Sequence, residues 1–374
     1  MRFAGVDVGT SGLKVAVVDE TGLVVDERSV AYSTVAPHPG WCEIDPDDWL
    51  RAYRIAVADL DEVDAIGFAG QMHGVVLTDA AGTPLRRAIL WPDRRAASIA
   101  AGWERAGVLD ALDTPIKPGY AGAILAWVRA HEPHVLAQTA QVWFAKDWVR
   151  ARLTGESDAV TERSDAAASL LWDPRTQGWS SEAVELVGVT SEMLASLHAT
   201  TEVTGAIGGV PVVVGGADTA LALDAYRALE PEAGTVYVNA GSGCQIVRPY
   251  EVRPRRSDVA ECVFADTGDG WYAMRALDVR GIADGAVLAR VVADAVEAFE
   301  PERVVIGGGA VRNGRFRREL DRSLNVPTRS VGLRSLSACG AALLASTCMG
   351  RRIGLRHDCV DESMNLNASG GQER

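Results

Sequence analysis

Two stretches far apart in the chain share one plan, and this duplication constrains the fold more than any other feature. In the first, residues 2–8 are an apolar run broken by Gly9-Thr10-Ser11-Gly12. Residues 13–18 form a second run, Asp19 to Gly22 a second turn, and residues 23–30 a third run. In the other, Val236 to Ala240 is followed by the turn Gly241-Ser242-Gly243, the return run Gln245 to Pro249, and a third run from Trp271 to Leu277. Short apolar, β-branched runs bounded by glycine-rich turns predict meandering antiparallel strands.

Each meander leads into alternating helices and strands. After Pro39-Gly40, the positions Trp49, Tyr53, Ala56, Val57 and Leu60 follow helical spacing, with Asp45 or Asp47 as N-cap. Ala65 to Gly70 returns to strand, and residues 75–78 and 85–91 predict a hairpin around Ala81-Gly82. Helical segments dominate from about 96 to 200, and Val210 to Gly216 reads as a buried strand running into Asp218. Later, a helix over roughly 284–299 places Val287, Leu288, Val291, Val292, Ala295, Val296 and Phe299 on one face and stops at Pro301. A strand at 304–306, a further helix, a short strand near 328–331 and a helix near 338–347 complete this half. The duplicated α/β plan predicts two actin-like, ribonuclease H-like lobes with a ligand cleft between them. Expected boundaries are 1–228, 229–350 and a mobile, aperiodic tail at 351–374.

Bulk properties fit this plan. A chain of 374 residues is too long for one ordinary core, and 48% hydrophobic with 23% charged residues is the profile of a folded soluble protein. A net charge of −13 argues against a nucleic-acid partner needing a broad basic face. The N-terminus has no long apolar stretch, and no charge-free run suffices to cross a bilayer, so neither a signal peptide nor a membrane partner is expected. Cys42, Cys244, Cys262, Cys339, Cys348 and Cys359 form no CxxC pair. They read as reduced thiols, with the cytoplasm as the expected compartment.

Four motifs can carry chemistry. In Asp7-Val8-Gly9-Thr10-Ser11-Gly12-Leu13-Lys14, glycines let backbone N–H groups approach phosphate oxygens. Thr10 and Ser11 add donors, and Asp7 can hold Mg²⁺ through water. Turn geometry alone would explain one such stretch; Gly241, Ser242 and Gly243 at the equivalent turn of the other half make a phosphate clamp the better reading. Asp218 follows Gly215-Gly216 at a strand–helix junction, where it is either an N-cap or a general base. Gly307-Gly308-Gly309-Ala310 with Asn313 offers bare backbone to a flat purine and ribose. Met72-His73 ends a strand, where His73 is equally suited to a structural role or to a polyol hydroxyl.

Together these motifs resemble the FGGY family of carbohydrate kinases, its xylulokinases in particular. Gly70-Gln71-Met72-His73-Gly74 matches the xylulokinase substrate signature, and Gly216 to Asp218 falls on the catalytic-base motif. Pro39 to Pro46 with Trp49, Leu90-Trp91 with Asp93, and Ser164-Asp165-Ala166-Ala167 through Leu171-Trp172-Asp173 are similar to further family stretches. Gly241 to Cys244 looks more like the second phosphate motif of glycerol kinases. Gly308 to Asn313 and Ala338-Cys339-Gly340-Ala341-Ala342 resemble the adenosine motif and closing helix.

The resemblance implies transfer of the γ-phosphate of MgATP to a hydroxyl of a ketose, D-xylulose favoured. Alternatives are another sugar, polyol or cyclitol, or an inactive kinase-like sugar-binding or regulatory protein. It implies Asp218 as base, Asp7 at Mg²⁺, and Gln71, Met72, His73, Asp218 and Thr219 at the sugar. Thr10, Ser11, Lys14, Gly241, Ser242, Gly243, Gly308, Gly309, Ala310 and Asn313 would hold the nucleotide. The expected partners are then sugar and ATP, with a homodimer left open; the 1–228 lobe would bind sugar and the 229–350 lobe nucleotide. Three departures stand out: a shortfall between the second phosphate turn and the helix near 284, Thr219 where xylulokinases tend to have Asn, and Ser242 for the usual Thr.

Overall fold

The computed structural model describes residues 1–230, 233–240, 243–279 and 281–356. Strands β1 (Arg2–Val8), β2 (Gly12–Asp19) and β3 (Val24–Ala31) form the expected antiparallel meander. Helix α1 (Pro46–Val57) is N-capped by Asp45, whose carboxylate accepts from Asp47 N, and buries Trp49, Tyr53 and Ala56. It leads to β4 (Ala65–Gly70), which runs parallel to β1. Strands β5 (Val203–Ile207), β6 (Val210–Val213) and β7 (Gly216–Ala217) complete a sheet of order β5-β6-β4-β1-β2-β3, with β7 also pairing β4.

The second sheet repeats this pattern. Strands β8 (Thr235–Ala240), β9 (Cys244–Tyr250), β10 (Cys262–Ala265), β11 (Trp271–Leu277), β12 (Arg303–Gly307) and β13 (Thr328–Ser330) take the order β10-β11-β9-β8-β12-β13. Strands β8, β9 and β11 are antiparallel like β1, β2 and β3, and β12 is parallel to β8 as β4 is to β1. The duplicated plan is therefore observed in the meander and the parallel strands beside it, while the edge strands β5 and β10 differ.

Between the sheets in sequence come α2 (Ala121–His131), α3 (Ala145–Thr154), the short α4 (Arg163–Ala167) and α5 (Asp218–Leu229). After β11 come α6 (Gly285–Glu297), α7 (Gly314–Ser323) and α8 (Leu336–Cys348). Helix α8 lies not on its own sheet but against β1, β4 and α5. Small residues make this possible: a Cβ at Gly5 would stand 1.8 Å from Ala338 O, one at Gly67 2.2 Å from Ala341 O, and one at Gly340 1.9 Å from Leu221 O. The last helix is thus a structural part of the first sheet's core.

One local expectation is extended and one is corrected. Residues 75–91 form the expected hairpin, with Val75 paired to Ile89 and Thr78 to Pro84, and each arm also pairs with a second partner. The Asp79 turn closes through bonds from Ala81 N and Thr83 N, and beyond these bridges Val76–Thr78 pairs with Gln141–Trp143 and Ala88–Ile89 with Glu43–Ile44. On α6 the buried face is Ala286, Ala289, Val292, Ala293, Ala295 and Val296, while Val287 and Val291 are exposed. Alanines share the buried face with Val292 and Val296, and Val287 and Val291 turn outward. The described cysteines, 42, 244, 262, 339 and 348, are free thiols. No described helix is long and apolar enough to cross a membrane. Cys359 and most of the 351–374 tail lie outside the described residues.

Candidate active site

The site is assembled where β1, β4 and β7 end side by side. Asp7 pairs with Ala69 in the register of β1 and β4, and Ala217 pairs with Gly70, so Asp7, Gln71 and Asp218 leave adjacent strand ends. Asp7 is 4% exposed, and its Oδ2 lies 3.5 Å from Lys14 Nζ. Burial holds its carboxyl above the usual range, with Lys14 working in the opposite direction. Its Oδ1 is buried without a partner.

Asp218 is the first residue of α5, and Ala217 occupies the cap position. Helix capping is therefore not what Asp218 does. Its Oδ1 accepts from Thr219 N at 2.6 Å and from Thr219 Oγ1 at 3.2 Å. Burial, and then the negative charge of Asp7, push its carboxyl up to about 7. A half-buried carboxyl poised near neutrality can take a proton from an alcohol and give it up again.

The first glycine-rich turn is braced rather than loose. Gly9 O accepts from Gln71 Nε2 at 2.9 Å and from the Tyr32 hydroxyl. Thr10 Oγ1 donates to Gln71 Oε1 at 3.3 Å and accepts from Trp91 Nε1 at 2.8 Å. Gln71 thus sustains the turn, Ser11 is exposed beside it, and Lys14 reaches Asp7.

Met72 and His73 are almost fully buried against the second sheet. His73 stands at a φ of 77°, its Nδ1 2.6 Å from Ala168 O, with its ring stacked 3.8 Å from Tyr120 and tilted against Phe264 of β10. Burial lowers its pKa to about 4. Tyr272 of β11 donates toward Met72 Sδ at 3.8 Å, and the charge of Asp218 acts on the same phenol. Tyr272 is therefore the common neighbour of Met72 and the acid.

A small pocket opens beside Asp218 and Thr219, bounded by Tyr237, Asn239, Gln245 and Ser337. Met72 and His73 do not line it. Gly243, at the edge of the second turn, has open space around its Cα, whereas Gly241 and Ser242 lie outside the described residues. Gly308 has a φ of 91°, and a Cβ there would meet Ala240 O at 2.4 Å; this glycine joins the third turn to the second. Gly309 is open and Ala310 half-buried. Asn313 caps α7 through Oδ1, accepting from Arg315 N and Phe316 N.

The structure thus brings Asp7, Lys14, Thr10, Gln71, Asp218 and Thr219 together at the floor. Sequence reasoning gave no role to Trp91, Tyr272, Asn239 or Gln245. Trp91 lay in a noted motif, but its bond to Thr10 depends on folding.

The fold is a two-lobed, actin-like, ribonuclease H-like α/β architecture. Similar solved structures include a xyloylose kinase from Brucella ovis (TM-score 0.84, 21% identity, 95% of this chain and 93% of that one). Another is Plasmodium falciparum glycerol kinase with ADP (TM-score 0.80, 14% identity, 93% and 89%). Residues 3–223 match the model of the FGGY family of carbohydrate kinases, N-terminal domain, and the chain belongs to that family. The xylulose kinase of Escherichia coli (strain K12) is 35% identical over 236 residues, 58% of this chain and 48% of the relative. That of Bacillus subtilis (strain 168) is 30% identical over 295 residues, 72% and 58% respectively. The chain spans about half the length of the curated relatives it matches.

Proposed function

We propose that the chain is an ATP-dependent carbohydrate kinase that transfers the γ-phosphoryl group of MgATP to a hydroxyl of a ketose, D-xylulose favoured. The observation that carries this reading is Asp218: a carboxyl at about 7, at the end of a strand, facing a cavity and electrostatically coupled to Asp7. In the proposed reaction Asp218 accepts the proton of the sugar hydroxyl as that oxygen attacks phosphorus. Thr219 holds the carboxylate in place through its amide and hydroxyl. The braced turn at Gly9–Gly12 and the turn before Cys244 grip phosphate from the two halves. Gly308 to Asn313 border the adenosine, and Met72 with His73 border the sugar.

The residues present fit Mg²⁺. Asp7 Oδ1 is a buried oxygen without a partner, and no group of three or more metal-ligating side chains occurs among the described residues. A cation that keeps most of its water and takes the rest of its shell from ATP suits a single carboxylate. Bound there, Mg²⁺ would neutralise charge on the phosphates. Support for xylulose comes from the xylulose kinases among the relatives and from Gly70 to Gly74. A glycerol kinase of Gloeobacter violaceus, 30% identical over 272 residues, keeps polyols in view.

A second reading, an inactive kinase-like sugar-binding or regulatory protein, is favoured by one observation: Met72 and His73 are sealed by Tyr120, Phe264 and Tyr272. A coupled ADP-release assay over ketoses, polyols and cyclitols separates the readings. Turnover with D-xylulose supports the proposal, and turnover with another acceptor alone replaces the sugar. No turnover, together with no ATP binding in calorimetry with Mg²⁺, overturns the kinase reading.

A further inference from the structure

The stretch Ser164-Asp165-Ala166-Ala167 has no part in the chemistry above, yet it lies in a buried ionic cluster directly beneath the base. Lys146, Asp147, Arg150, Glu162, Ser164 and Asp165 are all 0% exposed. Lys146 Nζ lies 2.8 Å from Asp147 Oδ1, 2.8 Å from Asp165 Oδ2 and 3.6 Å from Glu162 Oε1. Arg150 Nη1 lies 2.7 Å from Asp147 Oδ1. Burial opposes the charge on Lys146, and the summed attraction of the three carboxylates outweighs it.

This cluster reaches the catalytic strand at both ends. Arg150 Nη1 donates to Val214 O at 2.7 Å. Ala217 N, the amide just before Asp218, donates to Ser164 Oγ at 2.9 Å, and that hydroxyl donates in turn to Glu162 Oε1 at 2.9 Å. Glu162 also accepts from Ser164 N at 2.6 Å and Asp165 N at 3.0 Å, which fixes its own carboxylate. The segment between the two anchors contains Gly215 at a φ of 91° and Gly216, so it has little stiffness of its own. The helix that starts at Asp218 has no side-chain cap to locate its first turn. The cluster also touches the acceptor side, because the space next to Gly70 is filled by Lys146, with a Cβ there only 2.7 Å from Lys146 Cβ.

We propose that Ser164 is a positioning residue for phosphoryl transfer, holding Asp218 in register through the Ala217 amide, with Glu162 and Lys146 fixing the hydroxyl. This rests on the kinase reading for its catalytic consequence, but not for its structural one. Displacing Ser164 or Glu162 would break the bond from Ala217 N and move a carboxylate away from buried Lys146, which is costly. The cluster therefore transmits rigidity to a glycine-softened strand end, where an error of about 1 Å costs up to about 100-fold in rate.

The test is Ser164→Ala beside Ser164→Thr, and Ser164→Cys as a volume-conserving variant should the alanine protein not fold. Three readouts apply: kcat and KM for MgATP and acceptor, the pH profile of kcat, and the pH dependence of the melting temperature. The charged groups that act on Asp218 are Asp7 and Lys14, and all three variants keep them. For Ser164→Ala, or Ser164→Cys in its place, a 10- to 100-fold loss of kcat is expected from about 1 Å of misplacement, with KM for MgATP unchanged. The acid limb of the pH profile should move, and Ser164→Thr should recover most of the rate. A folded alanine or cysteine variant with kcat and pH profile as in the wild type, whatever its melting temperature, overturns the proposal. If the wild type itself shows no phosphoryl transfer, the functional reading fails instead. The pH dependence of melting then decides the positioning role alone: it shifts in the alanine variant if Ser164 holds Asp218, and a profile parallel to the wild type overturns it.

Discussion

Replacing Asp218 by Asn should leave the protein more stable and nearly inactive, with the stability gain dependent on pH. The carboxyl rises from 3.8 to about 7 on folding, through burial first and the charge of Asp7 second. A group whose folded pKa lies above its unfolded value binds protons more tightly in the folded state. Below about pH 4 it is neutral in both states and has no effect. Between about pH 4 and 7 the unfolded chain is ionised while the folded one resists ionisation, so stability falls as pH rises, and above 7 the penalty is constant. Three units at about 1.36 kcal/mol each set a ceiling of about 4 kcal/mol. Partial solvent access at a half-buried group lowers this to about 1–3 kcal/mol. Asn keeps an oxygen for Thr219 N and carries no charge. The Asp218→Asn protein should therefore melt about 1–4 °C above wild type at pH 8, with a much smaller margin at pH 5. Asp224, also pushed up to about 7 by burial, is common to both proteins and cancels from the difference. Scanning calorimetry at pH 5, 6, 7 and 8 measures the effect without any substrate, and turnover should fall about 10²- to 10⁴-fold. A stability difference that does not change with pH, or a variant less stable at pH 8 than at pH 5 relative to wild type, would refute the reasoning.

Other outcomes follow from the same geometry. In Gly340→Ala the new methyl would stand 1.9 Å from Leu221 O, so the urea midpoint should drop by an amount equivalent to about 3 kcal/mol or more. His73 is held near 4 by burial, so its ring proton signals should not titrate between pH 6 and 8, and a midpoint near 6.5 by NMR would contradict the packed site. Because its folded pKa lies below the unfolded one, His73 also makes the protein lose stability as pH falls from about 6.5 toward 4, and His73→Gln should remove that slope. Asp7→Asn should abolish the enhancement of ATP binding by Mg²⁺ in calorimetry while leaving metal-free binding within about threefold, since a water-mediated contact to the metal is what it loses.

Much of the fold was legible because the first two strands of each meander are largely apolar and the turns between them carry the glycines. The two meanders followed from the repeated runs, and of the two cap candidates Asp45 and Asp47 the structure selects Asp45. Asp218 was legible as a chemical candidate, but sequence could not choose between cap and base. Only the start of α5 at Asp218 itself, with Ala217 before it, removes the capping role. Other features depend on partners that sequence distance hides. The α6 face was misjudged in part because hydrophobicity favours Val287 and Val291, whereas the buried face includes Ala286, Ala289 and Ala293 beside Val292 and Val296. Helix α8 reads as the end of the second half, and its place on β1 and β4 rests on the absence of side chains at Gly5 and Gly67. Ser164 and Ala217 are fifty-three residues apart, and neither carries a local signal for the other.

These hidden contacts have a common physical cause. The floor of the site concentrates groups that folding disfavours: Asp7 and Asp218 are both held away from their ordinary ionisation, and Asp224, farther along α5, shares the same fate. Such a floor persists only where the surrounding frame leaves it no way to relax. The frame has two parts, one on each side of the strand ends. On one side α8 is drawn against β1, β4 and α5 at contacts that tolerate no side chain at Gly5, Gly67 or Gly340. On the other, the Lys146–Asp147–Arg150–Glu162–Asp165 cluster ties Val214, and through Ser164 also Ala217, to a fully buried ionic network. The small residues of the last helix and the buried ions of the middle segment therefore serve one end: they keep two like-charged carboxyls near each other in a place water alone would not hold them.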